Sequence, residues 1–470
     1  MQLKFMQLKT LFGAATASLF LAACGSSGGN NPVIQQQDPF LFTATNGNND
    51  SQLWKTEGTP ETTEMVKVIN ASGSADIEEI IQVGKLSYFK ATDGINGTQL
   101  WVSDGTEAGT LALPTTNPSD AVAYKDQLFF SAADPAAINN QELWKTDGTA
   151  AGTIKVKEIR AGNFGGLDGE FAVMDGILYF AADDGTTGQE LWKTDGTTAG
   201  TVIAADIAVG GLDSSPSALM VFGGKLIFAA DDGTTGNELW SFDGTNASLV
   251  KDINAGAGNS GPLGDAAKLG QFLFFTAFDS ANGLELWKTD GTNAGTTLVS
   301  DIRNGANGSD PESLTKLGNS LLFSADDGVN GTELWKTDGT TTVLVKNINV
   351  DNVAPSDPPS SPEAFFIVEN RLVFSAESSG DLELWTSDGT TAGTVELKNI
   401  SINGDSIPYH LGYLQYLNQD VLTTNNGVLV VATSDDKGRE LWRTDGTTEG
   451  TVLLKDINPD AGNGFVSGPM

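Results

Sequence analysis

Along nearly the whole chain, apolar runs of five or six residues alternate with stretches rich in Gly, Asn, Asp, Ser and Thr, and helix-favouring runs are scarce. LYFAA (Leu178–Ala182) and LIFAA (Leu226–Ala230) are almost continuously apolar, the pattern of a strand covered on both faces. A polar turn follows each, and then a run in which Leu191 and Trp192 are adjacent. Neighbours on a strand point to opposite faces, so this strand too is buried on both sides. The stretch from Ser313 to Ile348 divides into four predicted strands, SLTKLG (Ser313–Gly318), SLLFSA (Ser320–Ala325), TELWKT (Thr332–Thr337) and TVLVKNI (Thr342–Ile348). Four-stranded units buried on both faces fit radially stacked sheets, as in a propeller.

The unit recurs. All nine tryptophans occupy the same place in it: Trp54, Trp101, Trp144, Trp192, Trp240, Trp287, Trp335, Trp385 and Trp442. A period near 48 residues with strand-like content marks a propeller or solenoid. The pattern predicts an all-β fold, a β-propeller of about nine four-stranded blades over residues 38–470, with eight blades plus an irregular unit as the alternative. The first repeat departs most, with Gln52-Leu53-Trp54 and Glu57-Gly58-Thr59. Ring closure rests either on packing of the first blade against the last or on a C-terminal segment that crosses over. The tryptophans read as structural repeat core between blades.

ELWKTDGT stands at 142–149, 190–197, 285–292 and 333–340, with ELWTSDGT at 383–390 and ELWRTDGT at 440–447. These motifs resemble the bacterial ELWxxDGT repeat family, over about Phe40 to Ile457. The resemblance implies a secreted or surface repeat protein and carries no established chemistry with it. Ala182-Asp183-Asp184-Gly185-Thr186-Thr187-Gly188, followed by Trp192, is also similar to the tryptophan-docking pattern of eight-bladed quinoprotein-like propellers. That pattern implies a lock between blades.

Two loops are candidates for chemistry. In the TDGT turn, Asp147, Asp195, Asp290, Asp338 and Asp445 suit a tight hairpin, because Asp and Gly tolerate positive φ. The DDG loop pairs Asp183 with Asp184, Asp231 with Asp232 and Asp326 with Asp327 at the end of a strand. Oxygen-rich loops with Gly suit Ca²⁺, so these six are the candidate metal ligands, against an ordinary turn as the alternative. No other cofactor is expected. Tyr409, Tyr413, Tyr416 and the single histidine, His410, fall in the one long insertion. One histidine and one cysteine leave no His-based metal site or Cys/His dyad.

Charge and the N-terminus supply the cellular address. The net charge of −34 repels phosphate backbones and excludes nucleic acid as a partner; it permits cations or basic partners, but acidic residues spread through every repeat read first as a solvated surface. Residues 1–23 read as a signal peptide, with Lys4 and Lys9 ahead of an apolar core from Leu11 to Ala23. Leu21-Ala22-Ala23-Cys24 resembles the lipobox of bacterial lipoproteins, which implies lipidation of Cys24. Residues 24–37 then form a lipidated flexible tether. Gly25 favours the outer membrane, on its periplasmic face or at the surface.

These readings together predict a lipid-anchored cell-envelope protein acting as a non-catalytic binding or scaffolding module for a protein or glycan, and not an enzyme. The alternatives are an envelope-assembly propeller lipoprotein, and a quinoprotein-like or polysaccharide-acting enzyme.

Overall fold

The computed structural model describes residues 39–459 except 46–49, 135–136, 163–164, 351–358, 369, 401–427 and 435–436. The signal peptide, Cys24, the tether, and the insertion with Tyr409, His410, Tyr413 and Tyr416 lie outside the described residues.

The chain forms nine antiparallel blades, and none of its described residues is helical. Four strands are described in each of blades two to eight, and three each in blades one and nine. Within a blade the strands lie side by side in chain order. Blade seven runs Glu312–Leu317, Ser320–Asp326, Thr332–Thr337 and Thr342–Lys346, within a residue or two of the sequence expectation.

Nine hydrophobic clusters hold the ring, one at each blade–blade interface. Adjacent Leu and Trp side chains divide between them. Leu191 enters the cluster shared by blades four and five, and Trp192 the one shared by blades three and four. The second strand of each blade is therefore covered on both sides, and Phe180, Phe228, Phe323 and Phe374 are fully buried. Burying each such ring contributes roughly 2–3 kcal/mol.

Closure is settled by packing. Phe40, Phe42 and Ala44 of blade one share a core with Leu429, Leu441, Leu454 and Ile457 of blade nine. Lys455 Nζ crosses the same joint to donate to the Pro60 carbonyl at 3.1 Å. The first strands of successive blades touch one another, which places them nearest the axis, and the fourth strands form the rim.

Candidate functional site

The loops between second and third strands share one face of the ring with the linkers that join successive blades, because antiparallel strands alternate in direction. The six carboxylates of the DDG loops stand on this face. The second Asp of each pair folds its own loop. Asp184 Oδ1 accepts the N–H groups of Thr186 and Thr187 at 2.8 and 2.9 Å and both their hydroxyls at 2.7 and 3.0 Å. Burial works upward on its pKa, but the Thr186 and Thr187 donors outweigh it and bring the group down to about 2. Asp232 is bound the same way and also lowered to about 2. Asp327 accepts from Val329, Asn330 and the Asn330 amide.

The first Asp turns outward to the neighbouring blade. Asp183 pairs with Arg160, and Asp326 Oδ2 takes Arg303 at 2.7 Å. In two of the three pairs the first carboxylate thus reaches a linker arginine while the second shapes the turn. Among the described residues, no three of His, Cys, Asp and Glu stand together as a metal-binding group.

The same linkers are held by a device that the sequence reading passed over. The Glu of ELW is fully buried in blades three to seven and in blade nine, and 3% exposed as Glu383 of blade eight. Glu190 accepts the N–H groups of Ile207 and Ala208 at 2.7 and 3.2 Å and the Ser214 hydroxyl at 2.7 Å. It thereby ties its own third strand to the chain entering blade five. Glu238 with Ser260, Glu285 with Ser309 and Glu333 with Ser360 repeat the tie. Burial pushes Glu142 and Glu333 up to about 7 against the pull of their backbone donors. The recoverable signal was a Glu held at one register beside a Leu buried on both sides. A carboxylate there must be hydrogen-bonded.

The opposite face carries the TDGT turns. Asp195 Oδ1 accepts the Thr197 N–H at 2.9 Å and its hydroxyl at 2.7 Å, and Thr194 meets Thr201 at 2.7 Å. Lysines run from these turns to the next blade. Lys145 donates to Gly196 O at 3.0 Å, Lys288 to Gly339 O and Lys336 to Gly389 O at 2.7 Å each. Near the rim, Lys157, Lys346 and Lys398 stand over the rings of Trp192, Trp385 and Trp442, each indole belonging to the following blade. All nine indole nitrogens are buried without a hydrogen-bond acceptor. The tryptophans join blades through ring burial and cation–π contact.

Near the axis, the first strands of blades seven and eight bring two glutamates together. Each strand breaks register at a bulge, between Glu312 and Thr315 and between Glu363 and Phe366, around left-handed Ser313 (φ 60°) and Ala364 (φ 55°). Bulges re-aim side chains. Glu312 and Glu363 are both exposed and carry no ion pair among the described residues. Partial desolvation by the surrounding strands raises the Glu363 carboxyl first, although the side chain keeps an open surface, and the charge of Glu312 raises it further. Acids on or beside the first strands of other blades are already answered: Glu78 and Glu79 by Lys90, Glu170 by the Leu219 N–H, and Asp265 by the Leu314 N–H.

No family model and no curated protein matches the chain. Among solved structures, the chain is similar to a puromycin hydrolase variant complexed with PGG, at 16% identity and a TM-score of 0.40, covering 72% of this chain and 57% of that one. It is similar to the β-propeller domain of the Trilobed protease from Pyrococcus furiosus at 12% identity and a TM-score of 0.36, covering 81% and 98%. It is also similar to prolyl endopeptidases at 10% identity and a TM-score of 0.40, covering 78% and 54%. The chain spans a little over half the length of the puromycin hydrolase.

These likenesses transfer no activity, substrate or residue role to this chain. They do correct the expectation of a non-catalytic scaffold that is not an enzyme. The solved structures it is similar to are named as hydrolases and peptidases. A propeller is a frame on which unrelated functions are built, so its presence gives no ground for excluding catalysis.

Proposed function

We propose that the protein is a lipid-anchored propeller of the bacterial cell envelope that recognises cationic polypeptide at the axial end of its acidic loop face. The observation that carries this reading is the pair Glu312 and Glu363. Two carboxylates held on neighbouring inner strands, both open to solvent and neither answered by a cation, gain from a ligand that brings positive charge. The net charge of −34 steers such ligands toward the ring from a distance, in a manner that salt weakens. The lipobox-like Leu21-Ala22-Ala23-Cys24 supports attachment through acyl chains on Cys24, which hold a protein firmly when more than one is present. The outer membrane is the address proposed.

The test uses the full chain in detergent micelles and a fluorescent hexalysine probe. Glu312→Gln with Glu363→Gln is expected to weaken binding at least fivefold, whereas Glu61→Gln with Glu107→Gln, equal in charge and placed on exposed loops, leaves it near the wild-type value. Equal weakening by both pairs would reduce the effect to net charge and sink the axial assignment. Cys24→Ser is expected to release the protein from the membrane fraction, and retention would refute the anchor.

A further inference from the structure

On the loop face, four of the blade joints are latched by one residue, the one after the isoleucine that follows the fourth strand. At the joint of blades three and four it is Arg160, paired with Asp183, and at blades six and seven Arg303, paired with Asp326. At blades five and six, Asn254 Oδ1 accepts the Ser280 N–H at 3.1 Å, and at blades seven and eight Asn349 Oδ1 accepts the Ser379 N–H at 3.2 Å.

The joint of blades four and five, which lies between latched neighbours, has no such latch. The latch position is Ala208, fully buried and too short to cross the joint. Asp231 keeps the register of Asp183 and Asp326: it pairs with Asn237 as Asp183 pairs with Gln189 and Asp326 with Thr332. Its Oδ1 takes the Gly233 N–H at 2.7 Å, just as Asp183 takes Gly185 and Asp326 takes Gly328 at 2.6 Å each. Its Oδ2 has no partner among the described residues.

What stands beside it is apolar. A methyl placed on Gly185 would meet Arg160 Nε at 3.2 Å, and on Gly328 it would meet Arg303 Nε at 3.1 Å. On Gly233 it would meet Leu212 Cδ1 at 3.2 Å. Leu212 thus lies where the guanidinium arms lie in the sister joints, yet it is 58% exposed, and Val209 on the same linker is 80% exposed. Asp206 and Asp213 on that linker are exposed as well.

We propose that the corner between blades four and five is a docking site for an arginine side chain of a protein partner, with the guanidinium on Asp231 Oδ2 and the stem on Leu212 and Val209. The chain carries its own template for this contact, twice, in Arg160 on Asp183 and Arg303 on Asp326. Guanidinium answers the template better than ammonium, because its planar fork and weak hydration suit a carboxylate flanked by apolar groups. The acidic linker matches a basic segment, and the exposed leucine and valine match apolar residues beside the arginine. The site lies away from Glu312 and Glu363 and stands independently of the axial reading.

The test uses the full chain in detergent micelles and two fluorescent blocked tripeptides, Leu-Arg-Leu and its neutral counterpart with citrulline in place of arginine. The arginine peptide is expected to bind roughly tenfold or more tightly than the citrulline peptide, as for a charge-assisted hydrogen bond. Ala208→Arg supplies the missing latch from within and is expected to abolish that preference. Asp231→Asn removes the acceptor with little change of volume and is expected to do the same. Should Ala208→Arg fail to fold, Asp231→Asn alone decides the matter. Glu312→Gln with Glu363→Gln is expected to leave the preference intact. No wild-type preference for arginine over citrulline, or a preference undiminished in Asp231→Asn, would overturn the proposal.

Discussion

Glu190→Ala tests the view that one buried carboxylate holds each blade to the next. The side chain is fully buried and accepts the Ile207 and Ala208 amides and the Ser214 hydroxyl. Alanine orphans both amides, at about 1–3 kcal/mol each. Ser214 keeps an acceptor, since its hydroxyl also reaches the Gln189 carbonyl at 3.1 Å. Against this loss stands the relief of a desolvated carboxylate, whose pKa burial raises. The net expectation is a loss of about 3 kcal/mol. Glu190→Gln is expected to cost only about 1 kcal/mol, because one amide oxygen can serve both N–H groups. Blade one shows this already: Gln52 Oε1 accepts Ile69 and Asn70 at 2.7 and 3.3 Å. Urea denaturation gives the stability change, and hydrogen exchange at the Ile207 and Ala208 amides localises it. A loss below about 1 kcal/mol for alanine, or equal losses for alanine and glutamine, would show that the tie contributes nothing beyond volume.

The other predictions rest on single features. Glu142 and Glu333 titrate near 7 in the folded chain against an ordinary 4.5, so their contribution is fully present below pH 4.5 and is lost as pH rises through 7. Asp184 and Asp232, lowered to about 2, contribute stability above their ordinary 3.8 that is lost as pH falls through 2. Thermal midpoints are therefore expected to peak in mild acid, and Glu333→Gln is expected to flatten the descent between pH 4.5 and 7; an unchanged slope would refute the assignment. Phe374→Ala empties a fully buried ring site between blades seven and eight and is expected to cost about 3–5 kcal/mol in urea denaturation. Added Ca²⁺ or chelator is expected to leave the thermal midpoint unshifted, since Asp184, Asp232 and Asp327 already hold their loops through protein donors; a rise with Ca²⁺ would show native-state binding.

The repeat was legible in the sequence because the physics of a blade acts on adjacent residues. A strand buried on both faces must be apolar at successive positions, and a tight hairpin must place Asp and Gly together. Leu191-Trp192 and Asp195-Gly196 show both demands within six residues, which is why the blade boundaries fell close to their observed places. What escaped notice connects residues far apart in the chain. Nothing in ELW announces that Glu190 will accept from Ile207, 17 positions on, or that Arg160 will reach Asp183 across a joint. The axial glutamates escaped for another reason: among 60 acidic residues, Glu312 and Glu363 stand out only in lying at an inner-strand bulge without the lysine that answers Glu78 at the same place in blade two.

The repeat also holds the means to find such departures. Nine copies must solve the same packing problem, so a position that changes in one copy has either lost a duty or exchanged it. Gln52 replaces the Glu of the tie and keeps the bonds, which is exchange. Ala208 stands where sister joints place arginine or asparagine and leaves Asp231 Oδ2 unanswered among the described residues, which is loss. If only ring packing acted on this joint, an unanswered carboxylate would bring it no advantage, and a neutral residue would serve as well. Asp231→Asn therefore separates the two pressures: unchanged stability with lost arginine binding assigns that carboxylate to a partner, whereas lost stability would assign it to the ring.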